Sequence, residues 1–486
     1  MSANRSGPRE RWGLPRVAGR WRSRSRLSAN RSGPRERWGL PRVAGRWRFV
    51  GANLIDSLGS GVFLPLSVVF FVRTTSLPLT TVGACLSVAA LVGTAAVPLT
   101  GPAVDRLGPG RSMALSGLLQ AVGFLGYLGV DAAWHLVGCA ALVHTGQNLY
   151  WTASGPAVLA VALPGEADRW FSLLRMLRNL GLGAGTLLAS TLALSGESAG
   201  RTLVLVNALS FVAAAWLAAS ALPGPPPAPP EQDAGGGPGG STERAAGRAG
   251  RRAWGRTWGR TWGRGYLPVL RDPPFVALTA ANVLLALCTL VMPVILTVYV
   301  TADLALPDWF VGALFTANAA LVAGTQTAFS RLLERLPPVA RLHGAAGLWA
   351  VCFAGLWLAS PASTGVAMLL AGGAVVCFTL AEMAHAPTVS GETARLAPPA
   401  LRGRYFAVHQ LSWSVPAIVA PAAFTRLHDL GAPWLWSALL AACLGGAVLL
   451  RLTTSLRAAG RVGARRRSAR AVTPSPSGGG TPSSRR

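Results

Sequence analysis

The feature that most constrains this chain is its series of apolar segments. Each is about 18–26 residues long, enough to cross roughly 30 Å of hydrocarbon as a helix. Hydrophobic residues make up 51% of the chain and charged residues only 13%, whereas soluble proteins carry about a quarter charged residues. The apolar residues occur in continuous runs instead of alternating with polar ones, which is typical of membrane spans. The sequence therefore predicts an all-α membrane protein.

The apolar segments fall into two sets of six with a polar stretch between them. They lie near residues 49–72, 79–100, 112–130, 133–152, 171–194 and 202–222, and then 274–300, 309–330, 343–360, 364–388, 403–425 and 433–452. The linker at 223–270 is rich in Pro, Gly and Arg and cannot form a core. This layout favours two repeats. We predict twelve transmembrane helices in two pseudo-symmetric six-helix bundles, at 49–222 and 271–457.

The two ends of the chain are polar and basic. Residues 1–48 contain the segment Ser2–Arg22 repeated without change at Ser28–Arg48, and each copy has few apolar residues to bury. We predict disordered tails at 1–48 and 458–486. The linker repeat Trp254–Arg264 has a Trp and an Arg in every four residues. It is interpreted either as a contact with anionic lipid headgroups or as a disordered insert.

The placement of the arginines explains the net charge of +27. They concentrate in the tails, the linker and alternate short loops. The opposite loops carry only three arginines beside five acidic residues, namely Asp131, Glu197, Asp303, Asp308 and Asp429. By the positive-inside rule both termini are cytoplasmic in a plasma-membrane protein. We therefore expect no nucleic-acid partner. Tryptophans near span ends resemble interfacial belts; they are Trp134, Trp151, Trp170, Trp309, Trp434 and Trp436.

The sequence offers no pattern typical of an enzyme or a metal site. The six cysteines all fall inside apolar segments without C-x-x-C spacing, and the histidines show no metal-binding spacing. No phosphate-binding loop or nucleophile motif is present in a suitable context. We expect no metal, no cofactor and no enzymatic activity.

The stretch Gly101-Pro-Ala-Val-Asp-Arg-Leu-Gly-Pro-Gly-Arg111 connects the second and third apolar segments. It resembles the loop motif of the major facilitator superfamily, G-x-x-x-D-R-x-G-x-[RK]-[RK], through Gly101, Asp105, Arg106, Gly108 and Arg111. Gly110 departs from the basic residue of the pattern. The resemblance implies a secondary transporter of a small molecule, with these five residues forming a conformational-switch loop. From the sequence we expect a short loop here.

The fifth and eleventh segments open alike, with Arg169-Trp-Phe-Ser and Arg404-Tyr-Phe-Ala. The eleventh, RGRYFAVHQLSWSVPAIVAP, resembles drug-efflux members of the superfamily, and we expect a relative of actinobacterial efflux proteins. The fifth segment lacks the proline of the family's Gly-Pro motif. The resemblance of the eleventh segment to drug-efflux members implies efflux by an antiporter.

Charges inside spans are costly and indicate functional sites. Asp56 lies in the first span and Arg175 and Arg178 in the fifth, at similar depth. Because these spans are neighbours in the superfamily fold, we expect Asp56 to pair with one of the arginines and to respond to protons. The alternative is a static ion pair, or an Arg175 that reaches the headgroups.

Glu382 and His385 share one face of the tenth span because they lie three residues apart. They are interpreted either as a second proton site or, for Glu382, as part of a charge cluster. In that cluster its partner would be Arg331, Arg402 or Arg404.

Neutral polar residues within spans are candidates for a substrate cavity suited to an amphiphilic compound. Interhelical hydrogen bonding is the alternative. The candidates are His144, Gln147, Asn148, Asn282, Asn318, Gln326, Gln410 and Trp413.

These patterns favour proton-coupled export of a small organic compound by alternating access. Import of a metabolite with protons is the closest alternative. A receptor or scaffold without transport activity is a different one, and it would need the basic tails. Since one chain supplies both repeats, a monomer can suffice.

Overall fold

The computed structural model describes residues 40–63, 71, 77–193, 199–222 and 265–472. Within these ranges the chain is helical and contains no strand. We label the long helices α1 to α12 and count one bent pair as α2. They are α1 Trp47–Phe63, α2 Leu79–Ala95 with Val97–Leu107, α3 Pro109–Gly126, α4 Ala133–Val161, α5 Ala167–Ala193, α6 Ala199–Ala221, α7 Pro273–Thr289, α8 Asp308–Leu333, α9 Pro338–Ala359, α10 Thr364–Leu396, α11 Arg402–Asp429 and α12 Ala432–Val472. Two π-helical turns, Met292–Leu296 and Tyr299–Asp303, extend α7.

Helix packing repeats between the two halves of the chain. In the first half α1 packs on α5 and α6, α3 on α4 and α6, and α2 on α4. Adding six to each label gives the pairs of the second half, in which α7 packs on α11 and α12, α9 on α10 and α12, and α8 on α10. The two six-helix units therefore have the same internal arrangement, as expected of parallel repeats.

Length and hydropathy alone identify fewer membrane-crossing helices than the sequence reading did. In the described part of the chain six helices are long and apolar enough, namely α3, α6, α7, α9, α10 and α12, and the bent pair α2 makes a seventh. The helices that fall short include α1, α4, α5 and α11, which carry Asn53, Tyr150, Arg178 and Gln410. The described part of α1 is 17 residues long and falls short by length. In α4, α5 and α11 the polar residues lower the mean hydropathy, and these helices contribute to the cavity described below.

The predicted loop between the second and third spans is mostly helical, so that expectation was wrong. Gly101, Asp105 and Arg106 lie in the second part of α2, which bends by 47° from the first. The helix ends at Gly108, whose φ of 78° suits glycine, and α3 begins directly with Pro109. The turn between α2 and α3 is short because α2 remains helical to Leu107, past the end of the apolar segment near residue 100.

The ends of the described chain also differ from the predicted tails. Leu40 and Val43 pack against the core of the first half, so the predicted N-terminal tail ends in a packed segment. Helix α12 continues to Val472, beyond Ala458, where the sequence predicted disorder. Ala and Arg are strong helix formers, which favours this continuation. The remainder of both tails, and residues 223–264 with the Trp/Arg repeat, lie outside the described residues.

Half of the tryptophans predicted to lie at the membrane interface are turned inward. Trp134, Trp309 and Trp434 are largely exposed, as an interfacial belt requires. Trp170 and Trp436 are instead fully buried in the two halves. Position near a span end therefore did not determine which way these side chains face.

Candidate functional site: a cavity between the halves

One end of the bundle is closed by contacts between the two halves. We call it the motif end, because α2 turns into α3 there at Gly108. The helix pairs that meet across the seam include α2 with α11 and α5 with α8, which are equivalent pairs in the two repeats. Two clasps form at these crossings, and each uses an aspartate of the first half.

The first clasp is built on Asp105. Its Oδ1 accepts a hydrogen bond from the backbone N–H of Gly403 at 2.6 Å, and its Oδ2 lies 3.7 Å from the guanidinium of Arg404. The carboxylate therefore caps the N-terminus of α11, where unpaired N–H groups and the helix dipole attract a negative charge. Arg106 and Arg111, which belong to the same sequence motif, are exposed.

Glycine allows this close approach. A Cβ added at Gly101 would lie 2.9 Å from the Cα of Arg404, so α2 and α11 could not cross at this distance with a larger residue. Beside it, the hydroxyl of Tyr266 donates to the carbonyl oxygen of Pro98 at 2.7 Å. Burial raises the pKa of the Tyr266 phenol, which therefore stays protonated as a donor. The end of the linker is thus fastened to the seam.

The second clasp is built on Asp168 at the start of α5. Its Oδ2 accepts from Arg341 at 2.9 Å and from Arg395 at 2.8 Å, and Arg395 also contacts Glu392 at 2.5 Å. Arg341 is 8% exposed, so this pair is largely shielded from solvent. A carboxylate shared by two guanidinium groups forms strong charge-assisted hydrogen bonds. The sequence reading did not single out Asp168, Arg341 or Glu392.

Further contacts extend the second clasp along α5. Arg169 donates two hydrogen bonds to Glu334, at 2.6 and 2.8 Å, in a bidentate pair. The hydroxyl of Ser172 donates to that of Ser330 at 2.7 Å. Both contacts join α5 to the end of α8, and they confirm that this end of the bundle is held shut.

A cavity of about 320 Å³ lies between the halves, next to the clasps. Five helices contribute its wall: α1, α4, α5, α10 and α11. Its lining residues are Asn53, Tyr150, Trp151, Ser154, Phe171, Leu174, Arg175, Arg178, Ala386, Pro387, Ser390, Phe406, His409, Gln410 and Trp413. The volume lies within the usual range of small-molecule sites, and apolar walls with a few polar groups are typical of them.

Of the charged candidates, the structure places Arg175 and Arg178 in the cavity wall, and their contacts differ from the sequence expectation. Arg175 forms its ion pair with Glu382 across the seam, and Arg331, Arg402 and Arg404 do not provide the partner. The sequence placed Glu382 toward one end of its helix. It could not identify the neighbouring helix that supplies the partner of Glu382.

Arg178 stacks on the indole ring of Trp151, with its central carbon 4.5 Å from the ring centroid. Among the described residues, no carboxylate lies within 4.0 Å of the Arg178 guanidinium. Asp56 is buried in α1 and acts on Arg178 electrostatically over a longer distance. The expected direct ion pair of Asp56 with Arg175 or Arg178 is therefore not formed in this structure.

His385 lies apart from Glu382, within an aromatic cluster. Its ring centroid is 5.1 Å from that of Trp349 and 5.4 Å from that of Trp413. The side chain is fully buried, and neither ring nitrogen has a hydrogen-bond partner among the described residues. His385 thus supports the wall behind Trp413 and does not form a pair with Glu382.

The neutral polar candidates divide between the cavity and helix packing. Gln410 and Trp413 line the cavity, and Gln410 donates to Asn148 at 3.3 Å across the seam. Asn282, Asn318 and Gln326 hydrogen-bond to neighbouring helices within the second half, as the alternative interpretation holds. His144 and Gln147 interact with each other on α4 and are not part of the cavity wall.

Several wall residues were not among the sequence candidates. Tyr150 donates to Asn53 at 2.6 Å, which joins α4 to α1, and Phe406 covers Gly155 so closely that a Cβ there would overlap its ring. His409 accepts from the indole N–H of Trp413 at 3.3 Å. A signal for the α11 residues was available, because Phe406, His409, Gln410 and Trp413 recur every one to four residues along one helix.

Two helical repeats around a central cavity define a class of protein, the helical membrane transporter. The family profile of the Major Facilitator Superfamily matches residues 49–421. The chain therefore belongs to the major facilitator superfamily, whose members are multi-pass secondary transporters.

Solved structures of the same fold are similar over most of the chain. A bacterial homologue of the iron transporter ferroportin in an outward-facing state has a TM-score of 0.65 at 17% identity, and the match covers 85% of this chain and 99% of that one. A proton:xylose symporter bound to 6-bromo-6-deoxy-D-glucose has a TM-score of 0.61 at 14% identity, covering 85% and 96%. A human organic anion transporter has a TM-score of 0.55 at 14% identity, covering 87% and 99%. No curated protein sequence matches the chain significantly.

Proposed function

We propose that this protein moves a small organic compound across the plasma membrane by alternating access, with proton coupling. In this proposal all twelve helices cross the membrane, both termini are cytoplasmic, and a monomer is the functional unit. The observation that carries the proposal is the cavity between the halves, which lies directly next to two clasps of buried ion pairs.

The clasps support a cycle in which the motif end opens and closes. Packed interfaces switch between discrete arrangements instead of deforming gradually. The charge distribution of the loops supports a cytoplasmic location for the motif end. The described conformation is then closed to the cytoplasm, and substrate would reach the cavity from outside. Separation of α2 from α11 and of α5 from α8 would give the opposite state.

We propose efflux as the first direction to test, because the opening of α11 resembles efflux members of the family. Asp56 is the proposed proton acceptor. It is the buried acidic residue of α1, the helix that packs against α5 and its cavity arginine Arg178.

The test uses inverted vesicles with an acidified lumen and a panel of organic compounds. A substrate-evoked rise of luminal pH that is lost with Asp56→Asn, but kept with Asp131→Asn on the surface, would support proton-coupled efflux. Asp131 is a suitable control because its side chain is 84% exposed. If no compound moves protons in either direction with folded, inserted protein, proton coupling is excluded for that panel.

Import with protons is the second candidate, and the geometry at Arg178 favours it for one class of compound. The negative charge of Asp56 acts on Arg178. If the compound is an anion, protonation of Asp56 would strengthen its binding to Arg178, and proton and compound would cross together. Substrate would then acidify, instead of alkalinise, the compartment into which it moves.

A further inference from the structure

The cavity wall carries an arginine without a close counter-ion. Among the described residues that line the cavity none is acidic, and two are arginines. Arg175 is neutralised by its pair with Glu382. Among the described residues Arg178 has no hydrogen bond or ion pair, and its guanidinium lies over the ring of Trp151. The cavity therefore presents one positive charge without a counter-ion in contact.

An unpaired charge in a low-dielectric site is unfavourable unless a ligand supplies its partner. A guanidinium presents its donors in a planar fork that matches a carboxylate or sulfonate group. The contact with the Trp151 ring holds the guanidinium at the cavity wall without using its N–H donors. Arg178 is thus oriented in advance for an anionic group.

The remaining wall suits the body of an aromatic molecule. Tyr150, Phe171, Phe406 and Trp413 supply aromatic surface, and Gln410 supplies a hydrogen-bonding group on the side of α11. Rings pack favourably against such walls in offset or edge-on arrangements. The volume of about 320 Å³ accommodates a compact molecule with a small ring system.

We infer that the substrate is a small aromatic organic anion whose carboxylate or similar group binds Arg178. This inference rests on the proposed transport function and specifies its substrate class. The groups that act on Arg178 are Asp56 on α1, Tyr150 on α4 and Arg175 on α5. Because the Asp56 carboxylate competes with the ligand for Arg178, an uncharged residue 56 strengthens binding of the anion. The same linkage would make proton and anion travel together, which corresponds to the import candidate of the proposed function.

The experiment compares three probes of nearly equal shape: indole-3-acetate, indole-3-acetamide and tryptamine. Binding to the purified full chain in nanodiscs is measured by calorimetry. The acid is expected to bind best, and Arg178→Gln to weaken the acid roughly 10- to 100-fold while leaving the amide almost unchanged. Arg178→Lys restores part of the affinity, and Arg201→Gln on the exposed surface changes nothing.

A further variant, Asp56→Asn, keeps the test valid if Arg178→Gln does not fold. Asp56→Asn is expected to tighten binding of the acid several-fold and to leave the amide unchanged. Equal binding of all three probes, or a preference for tryptamine, would overturn the anion site while leaving a transporter for other compounds in place. Binding of none of the probes would also overturn it, and the vesicle experiment would then judge the transport function separately.

Discussion

At the scale of single residues, buried charged side chains are costly in a membrane, and most of those in this protein contact a specific partner. Asp105 and Asp168 both join the two halves at the motif end, yet they bind differently. Asp105 binds a helix N-terminus, whereas Asp168 binds the side chains of Arg341 and Arg395. The closed state of the motif end therefore depends on a few hydrogen bonds to charged groups.

We expect Asp105→Asn to shift the protein toward the state that is open at the motif end. A neutral amide accepts weaker hydrogen bonds than a carboxylate and loses its attraction to Arg404, a difference of about 1.5–3 kcal/mol. The population ratio of the two states should change by about tenfold or more. Labelling of a cysteine introduced at Ser330 measures this opening, with the exposed Asp131→Asn as a control. Unchanged labelling would show that the clasp does not hold the closed state.

A second prediction at this scale concerns Glu382. Removing its charge leaves Arg175 unpaired in the seam between α5 and α10. We expect Glu382→Gln to lower the stability of the closed state and the thermal midpoint, because breaking one side of a partly buried pair leaves an uncompensated charge. The double variant Glu382→Gln/Arg175→Gln should recover most of the loss. If the double variant is as unstable as the single one, the pair is not the source of the effect.

At the scale of helices, glycine spacing decides which pairs can cross closely. The crossing of α1 and α5 uses Gly61 on one helix and Gly181 and Gly185 on the other, each facing backbone or a Cβ of its neighbour. Small residues allow helix backbones to approach in membranes, where no hydrophobic force drives association. This crossing brings Asp56 and Arg178 to the same region of the protein.

Gly183 and Gly185 provide a matched test on one helix. A Cβ at Gly185 would overlap the backbone oxygen of Leu58, whereas one at Gly183 meets nothing within 4 Å. We expect Gly185→Ala to destabilise the protein by about 1–3 kcal/mol through overpacking. Gly183→Ala should be neutral or stabilise it by up to about 1 kcal/mol through helix propensity. Thermal unfolding in detergent compares them, and similar midpoints would argue against the close crossing.

At the scale of the whole molecule, the two halves meet through polar contacts at the motif end and surround the cavity. The polar contacts across the seam among the described residues run from Asp105 and Asp168 at that end to Asn148 and Gln410 at the cavity. Such an arrangement allows the halves to rock about the cavity, as parallel-repeat transporters do.

A cross-link at the seam tests this movement. The hydroxyls of Ser172 and Ser330 are 2.7 Å apart, so cysteines at both positions should form a disulfide. We expect Ser172→Cys/Ser330→Cys to lose transport when oxidised and to regain it with a reducing agent. Each single variant should remain active under both conditions. Full transport by the quantitatively cross-linked protein would mean that α5 and α8 need not separate.

The sequence by itself determined the helical class, the order and grouping of the helices and the positions of the charged residues along them. These follow from local composition, because a bilayer requires a fixed length of apolar helix and penalises each buried charge. Only the tertiary structure decided that Glu382 pairs with Arg175, that Arg178 stacks on Trp151, and that His385 lies between two tryptophans. Helical spacing tells which residues share a face, but the partner on that face comes from a helix distant in the sequence. Its identity depends on how the two bundles dock.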